Sequence, residues 1–425
     1  MRLPGGGWRR DLALALLLAA AAALFRLPRY SYPPEEVFDE VYHAKTALEY
    51  LQGKSPTEWV HPPTAKLLIA LGVYLLGYDA IGWRLAPVLA GIALAPVFFL
   101  LARQVLASER AALLASVLLL CDSVYLVQSR IAMTNIFAVL FQLGAALCIV
   151  RAVGRERLPA GAMAGAGLFL GLALSTRWTS LWATAFLGLV VLAVRGRRLL
   201  RGRELGLVLL AFGALPVAIY VVSYIPWMRQ GHSLSDLVPL QVAIWRYHAD
   251  LQATHPYFSK WYTWPLLYRP TWYHYKQIGE TVYGIVAIGN PALWWTALPV
   301  TLWALVTGFR ARDPRRIFAG AGFCCLYLPW GLSPRTLNYS HYLFEAIPYA
   351  CLSLGALLDA EWDGLRQGAR ARKLRALTAR GFVLLVVGLF LFFYPILAAL
   401  PVPAKLFFLE VLPGVRTWTW FPTWV

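Results

Sequence analysis

An acidic pair stands in Phe38-Asp39-Glu40-Val41-Tyr42-His43-Ala44-Lys45, directly after the first long apolar stretch. A carboxylate placed there can take a proton from a hydroxyl, the task of a general base. The plain structural reading of Asp39 is an N-cap, because Val37, Val41, Ala44, Leu48 and Leu51 recur at helical spacing behind it. Trp59-Val60-His61-Pro62-Pro63-Thr64-Ala65-Lys66 follows. The paired prolines predict a rigid extended entry into a short helix, and His61 and Lys66 are candidates to face a substrate. Arg130 and Arg177 each lie between two apolar runs, in Gln128-Ser129-Arg130-Ile131 and Ser175-Thr176-Arg177-Trp178. An arginine beside hydrocarbon either snorkels or pairs, and its guanidinium fork matches the oxygens of a phosphate. Arg335, Asn338, His341 and Glu345 are spaced to share one helical face. Glu345 falls about a turn inside the apolar run and needs a partner or a wet cavity. No H-x-x-x-H or H-E-x-x-H spacing occurs, and adjacent Asp39 and Glu40 point in different directions on a helix. The reading is therefore no metal and no cofactor.

The elements that must position these residues are membrane helices. The chain has 425 residues, 59% hydrophobic and 14% charged, more apolar surface than a soluble fold of this length can hide. Apolar segments of roughly 20 residues recur, each long enough to cross a bilayer as a helix. They predict an all-α polytopic membrane protein with eleven crossings near 11–25, 83–102, 110–128, 131–150, 160–175, 178–194, 206–225, 291–309, 317–330, 341–358 and 381–400. Ala65 to Tyr78 is too short to cross and reads as interfacial or re-entrant. With the N-terminus inside, the inner segments carry 23 of the 39 Lys and Arg against 8 acidic residues, the clearest run being Arg195, Arg197, Arg198, Arg201 and Arg203. The outer side holds 16 basic and 13 acidic residues, so the positive-inside rule puts the N-terminus in the cytoplasm and the C-terminus outside.

The net charge of +18 is thus spread over short loops, which excludes a nucleic-acid-binding domain. The five cysteines lie in apolar segments and predict no disulfide framework. One domain, 1–425, is predicted, with two large outer loops and no separate soluble domain. The first, 26–82, carries the acidic motif and interfacial helices. The second, 226–290, carries an amphipathic helix over Asp236–Leu251 and an aromatic stretch, His255 to Tyr275. The C-terminal Trp418, Trp420, Phe421 and Trp424 read as an interfacial anchor. All seven histidines fall on the outer face, with Asp39, Glu40 and the arginines at helix ends. Polar groups crowding one face argue against a transporter or flippase, which needs ionisable residues at mid-membrane and paired broken helices.

Together these segments resemble the protein O-mannosyltransferase family of the type C glycosyltransferase superfamily. The resemblance is carried by Phe38 to His43, His61-Pro62-Pro63, Ser175 to Trp178, Trp264-Pro265-Leu266-Leu267-Tyr268-Arg269-Pro270, Gly289-Asn290-Pro291 with Trp294-Trp295, and Tyr339-Ser340-His341-Tyr342. It implies an inverting enzyme of the cell membrane, active on its outer side, without nucleotide-sugar. By that resemblance the sugar is mannose, and it would pass from a polyprenyl-phosphate donor to a Ser or Thr hydroxyl of exported protein. By the resemblance Asp39 corresponds to the catalytic base and Glu40 to a neighbour that shapes the acceptor site. Arg130, Arg177, Arg335 and His341 are then candidates to meet the departing phosphate, and His61, Lys66, Tyr342 and Glu345 to line the substrate. A lipid or glycan acceptor is the alternative within the same fold. Trp294-Trp295 is followed by Thr296, so the Trp-Trp-Asp-Tyr-Gly motif of oligosaccharyltransferases is absent.

Overall fold

The apolar runs close into helices because a backbone in hydrocarbon must satisfy its amides within its own segment. A computed structural model describes residues 7–200, 202–363 and 370–424. Arg201 of the basic run lies outside the described residues. In chain order the helices are α1 (Trp8–Arg26), α2 (Glu40–Leu51), α3 (Thr64–Leu76), α4 (Ala80–Leu106), α5 (Glu109–Leu120), α6 (Ser123–Gln128), α7 (Asn135–Val153), α8 (Ala160–Leu174), α9 (Ser180–Arg195), α10 (Gly202–Leu209), α11 (Leu215–Ser223), α12 (Ile225–Met228), α13 (Leu237–Asp250), α14 (Pro291–Ala311), α15 (Pro314–Tyr327), α16 (Ile347–Glu361) and α17 (Arg370–Leu397). Among the described residues six helices are long and apolar enough to cross a membrane: α4, α7, α9 with its extension to Leu199, the continuous Gly202–Ser223, α14 and α17. The chain is a multi-pass membrane protein.

Contacts group it into two compact units, Met1–Leu27 with Pro34–Ala107 and Ile131–Leu251, and Pro28–Pro33 with Ser108–Arg130 and Gln252–Val425. In the first unit α7 packs on α4 and α8, α4 also packs on α1 and α3, and α8 packs on α11. The last contact is close: a Cβ at Gly171 would stand 2.7 Å from Ile219. In the second unit α16 packs on α5, α14 and α15, and α17 packs on α14 and α16.

Three expectations change here. The run 110–128 is two helices, because Asp122 caps α6 by accepting from the Tyr125 amide (3.1 Å) and Trp294 Nε1 (2.8 Å). The all-α reading missed a hairpin, β1 (Thr271–Ile278) and β2 (Thr281–Ala287), extended by β3 (Val402–Pro403). Its two-residue turn starts at Gly279, whose φ of 55° suits a tight hairpin connection. Trp418 and Trp424 are buried, their indoles bonded to the carbonyls of Phe392 (2.7 Å) and Leu267 (2.6 Å), so they pack inside the second unit instead of anchoring at an interface.

Candidate active site

Four short segments of the first unit converge on the start of α2. Asp39 occupies the N-cap position, yet its carboxylate makes no capping bond to the helix amides, and the residue is half-buried. The preceding Phe38 has φ 51°, a left-handed conformation that a bulky side chain adopts only when its surroundings enforce it. What enforces it is Glu40. This carboxylate is fully buried and accepts from Arg84 Nε (2.8 Å) and Nη2 (2.6 Å), the Val37 amide (3.0 Å) and the Ala132 amide (2.8 Å). Arg84 in turn reaches the Glu35 carbonyl (3.1 Å). Both oxygens of Glu40 are taken by protein donors, so any part it has in shaping the acceptor site is played by holding the turn that presents Asp39.

One helical turn on, His43 Nδ1 donates to the Ala132 carbonyl (2.8 Å). Glu40 and His43 thereby pin both polar groups of Ala132, fixing the 131–135 turn to α2. The 57–64 segment is built around Glu58. Its Oε1 accepts from the His61 amide (3.0 Å) and His61 Nδ1 (2.7 Å), and its Oε2 pairs with Lys66. Lys66 also donates to the carbonyls of Glu58 (2.8 Å) and His61 (2.7 Å) and has no exposed surface. Lys66 is therefore a strut under this turn and lines no substrate surface, contrary to expectation. Thr64 then binds Ser175 through its amide (3.0 Å) and its hydroxyl (2.6 Å), which brings the His61-Pro62-Pro63 entry against the Ser175-Thr176-Arg177 turn. Arg177 Nη1 is held by Thr134 (3.2 Å) and Asn135 (2.8 Å). Sequence reasoning missed Arg84 and Glu58. The signals were a charge at the very start of an apolar helix, and an acid three residues before His61 and eight before Lys66.

Electrostatics follow from this packing. Burial alone would raise the Glu58 carboxyl, but the Lys66 ammonium and the His61 ring against it outweigh burial and hold it below the usual carboxylate range. Burial drives His61 down, Glu58 opposes, and Arg177 and His248 push down again; the ring is pulled to about 3 and is neutral near pH 7. Metal-type atoms of His43, Glu58 and His61 lie within 4.8 Å of one another. Two resident cations, Lys66 on Glu58 and Arg177 close to His61, already supply the positive charge that an ion would bring, which weighs against an ion cage.

Residues 16–83 and 60–224 match the family model described as dolichyl-phosphate-mannose-protein mannosyltransferase, and 233–424 match that of the C-terminal four TMM region of protein-O-mannosyltransferase. The chain belongs to the protein O-mannosyltransferase family. The polyprenol-phosphate-mannose–protein mannosyltransferase of Mycolicibacterium smegmatis is 28% identical over 98% of this chain and 93% of its own length. That of Mycobacterium tuberculosis is 29% identical over 97% and 91%. The S. cerevisiae protein O-mannosyltransferase Pmt1-Pmt2 complex bound to the sugar donor superposes with a TM-score of 0.81 at 14% identity, covering 98% of this chain and 93% of that one. ArnT from Cupriavidus metallidurans bound to undecaprenyl phosphate gives 0.56 at 18% identity, over 93% and 77%. These structures share the fold.

The other residues that the mannosyltransferase resemblance singled out lie in the second unit. Arg130 Nη1 donates to the Pro28 carbonyl (2.9 Å). Arg335 and Asn338 lie in a loop, with Arg335 Nε on the Leu337 carbonyl (2.7 Å), while a 3-10 turn takes Ser340–Glu345. The shared helical face of Arg335, Asn338, His341 and Glu345 does not form, because no helix covers 335–339. His341 is buried among rings, 5.5 Å from Tyr273, 5.4 Å from Tyr339 and 4.8 Å from Tyr342. Tyr342 stacks on Trp330 (4.9 Å) and meets Trp264 (6.0 Å), so these aromatic groups form core. A bulge between Trp272 and His274 turns Tyr273 to accept from Gln128 Nε2 (2.7 Å). Glu345 is buried in the same turn.

Proposed function

We infer that this protein transfers mannose from a polyprenyl-phosphate-mannose donor to a hydroxyl of a protein acceptor, a Ser or Thr side chain, with Asp39 as general base. The observation that carries the base assignment is a carboxylate that does not cap its own helix, held on a strained turn by the four-donor anchor of Glu40. The acceptor oxygen attacks the anomeric carbon, the bond from that carbon to the phosphate oxygen breaks, and its electron pair leaves with polyprenyl phosphate. Asp39 takes the acceptor proton as the new bond forms, and a single displacement inverts the anomeric centre. Arg177, oriented by Thr134 and Asn135, meets the charge that grows on the phosphate. Arg177 lies in the same unit as Asp39 and close to His61, whereas Arg130, Arg335 and His341 belong to the second unit, so Arg177 is the best supported of the four for that role. The reaction so written needs no metal ion.

The finer topology is eleven crossings with an inner N-terminus in the cell membrane, and it rests on the 23 inner against 16 outer Lys and Arg. It places Asp39 and His61 outside the cytoplasm, where exported protein is the available acceptor. The full-length protein in lipid nanodiscs, given radiolabelled polyprenyl-phosphate-mannose and a panel of Ser/Thr peptides, lipids and glycans, tests the function. Label on peptide supports it. Label on lipid or glycan alone would select the other acceptor class.

A further inference from the structure

His43 and His61 stand edge to face with ring centroids 6.3 Å apart, and a nitrogen of each lies within 4.8 Å of the other. Each ring commits Nδ1 to the protein. His43 Nδ1 donates to the Ala132 carbonyl, which can only accept. His61 Nδ1 donates to Glu58, whose carboxylate is kept ionised by Lys66 and already accepts from the His61 amide. The protons are therefore on Nδ1, and in the neutral rings each Nε2 carries a lone pair.

Lone pairs on these nitrogens select their ligand by chemistry. A phosphodiester oxygen only accepts and is repelled by them. A hydroxyl donates and is attracted. Resting on the proposed function, we propose that Nε2 of His43 and Nε2 of His61 form a hydroxyl-reading subsite that accepts hydrogen bonds from the transferred sugar. Glu58 and Lys66 are its positioning residues, since they lock the His61 tautomer, and Ala132 locks that of His43. Division of labour follows: Arg177 reads the phosphate and the imidazoles read the sugar. The pair discriminates the loaded carrier from the spent one, which has lost its sugar hydroxyls.

The test is equilibrium binding to full-length protein in nanodiscs with two probes, polyprenyl-phosphate-mannose and bare polyprenyl phosphate. His61→Phe keeps the ring volume and removes both nitrogens. It is expected to weaken the mannosylated lipid about tenfold, the size of one lost hydrogen bond, and to leave the bare lipid within about twofold. His61→Gln, which retains an acceptor oxygen, recovers part of the loss, and Glu58→Gln, which frees the tautomer, shows an intermediate loss. Thermal unfolding of each variant checks folding, and His43→Phe, which removes the other acceptor nitrogen, replaces His61→Phe if that variant fails to fold. Equal weakening of both probes, or no change in either, overturns the subsite. Arg177→Ala separates the two readings: it is expected to weaken both probes. If it spares both while His61→Phe acts on the mannosylated lipid alone, the phosphate assignment falls and the sugar subsite stands.

Discussion

Replacing Glu40 by alanine removes one side chain and strands four donors. The carboxylate receives two bonds from Arg84, whose side chain is 0% exposed, and one each from the Val37 and Ala132 amides. A buried charge left without its partner costs about 3–5 kcal/mol. Each amide that loses its acceptor adds about 1–3 kcal/mol where water cannot replace it. The sum exceeds about 5 kcal/mol, the lower bound of the stability of an ordinary domain. At about 2 °C per kcal/mol for large domains, the unfolding temperature falls on the order of 10 °C. Removing the stranded charge as well, in Glu40→Ala/Arg84→Met, recovers part of that loss, because the uncompensated guanidinium is the largest single penalty. The assay is thermal unfolding in nanodiscs, joined to hydrogen–deuterium exchange over residues 37–51. An unchanged midpoint for Glu40→Ala, or a double variant no more stable than the single one, would refute the anchor.

Three further outcomes follow from the same geometry. Arg177→Ala raises the donor concentration needed for half-maximal transfer by about tenfold or more, as loss of a charge-assisted bond implies; unchanged donor kinetics would leave snorkelling as the explanation of Arg177. Stability falls as pH drops below about 6.5: His61 is pulled to about 3 and Glu58 is lowered, so the unfolded chain binds more protons over that range and gains on acidification. His61→Phe flattens the part of this decline above about pH 5, which unfolding midpoints across pH measure. A reporter domain inserted after Lys54, in the exposed turn behind α2, reports an extracytoplasmic position, and a cytoplasmic signal would invert the topology.

What the sequence made legible was set by how local each constraint is. Asp39, His61 and Arg177 stand in short motifs at the ends of apolar runs, and those runs fold as helices close to their expected places. The apolar run Ala65–Tyr78 is too short to cross a bilayer, and α3, which covers most of it, has 13 residues. Partnerships across the chain were not legible: Glu40 with Arg84 is 44 residues apart, and Glu40 with Ala132 is 92. Nothing in the spacing tells a buried anchor from an exposed acid. Lys66 looked available for the same reason, because its acceptors are made by a turn that forms only around Glu58. The β1–β2 hairpin was hidden by its aromatic composition, although Gly279-Glu280 between Tyr275-Lys276-Gln277-Ile278 and Thr281-Val282-Tyr283 carried the turn signal. Around 333–345 the helical spacing misled, because Pro334 and the loop after it begin the helix only at Ile347.

Transfer by Asp39→Asn measures the central claim most directly. The substitution keeps shape and removes the base, so with radiolabelled polyprenyl-phosphate-mannose and a Ser/Thr peptide the rate is expected to fall by about a hundredfold or more, with donor binding and unfolding temperature unchanged. Turnover at the wild-type rate would contradict the account.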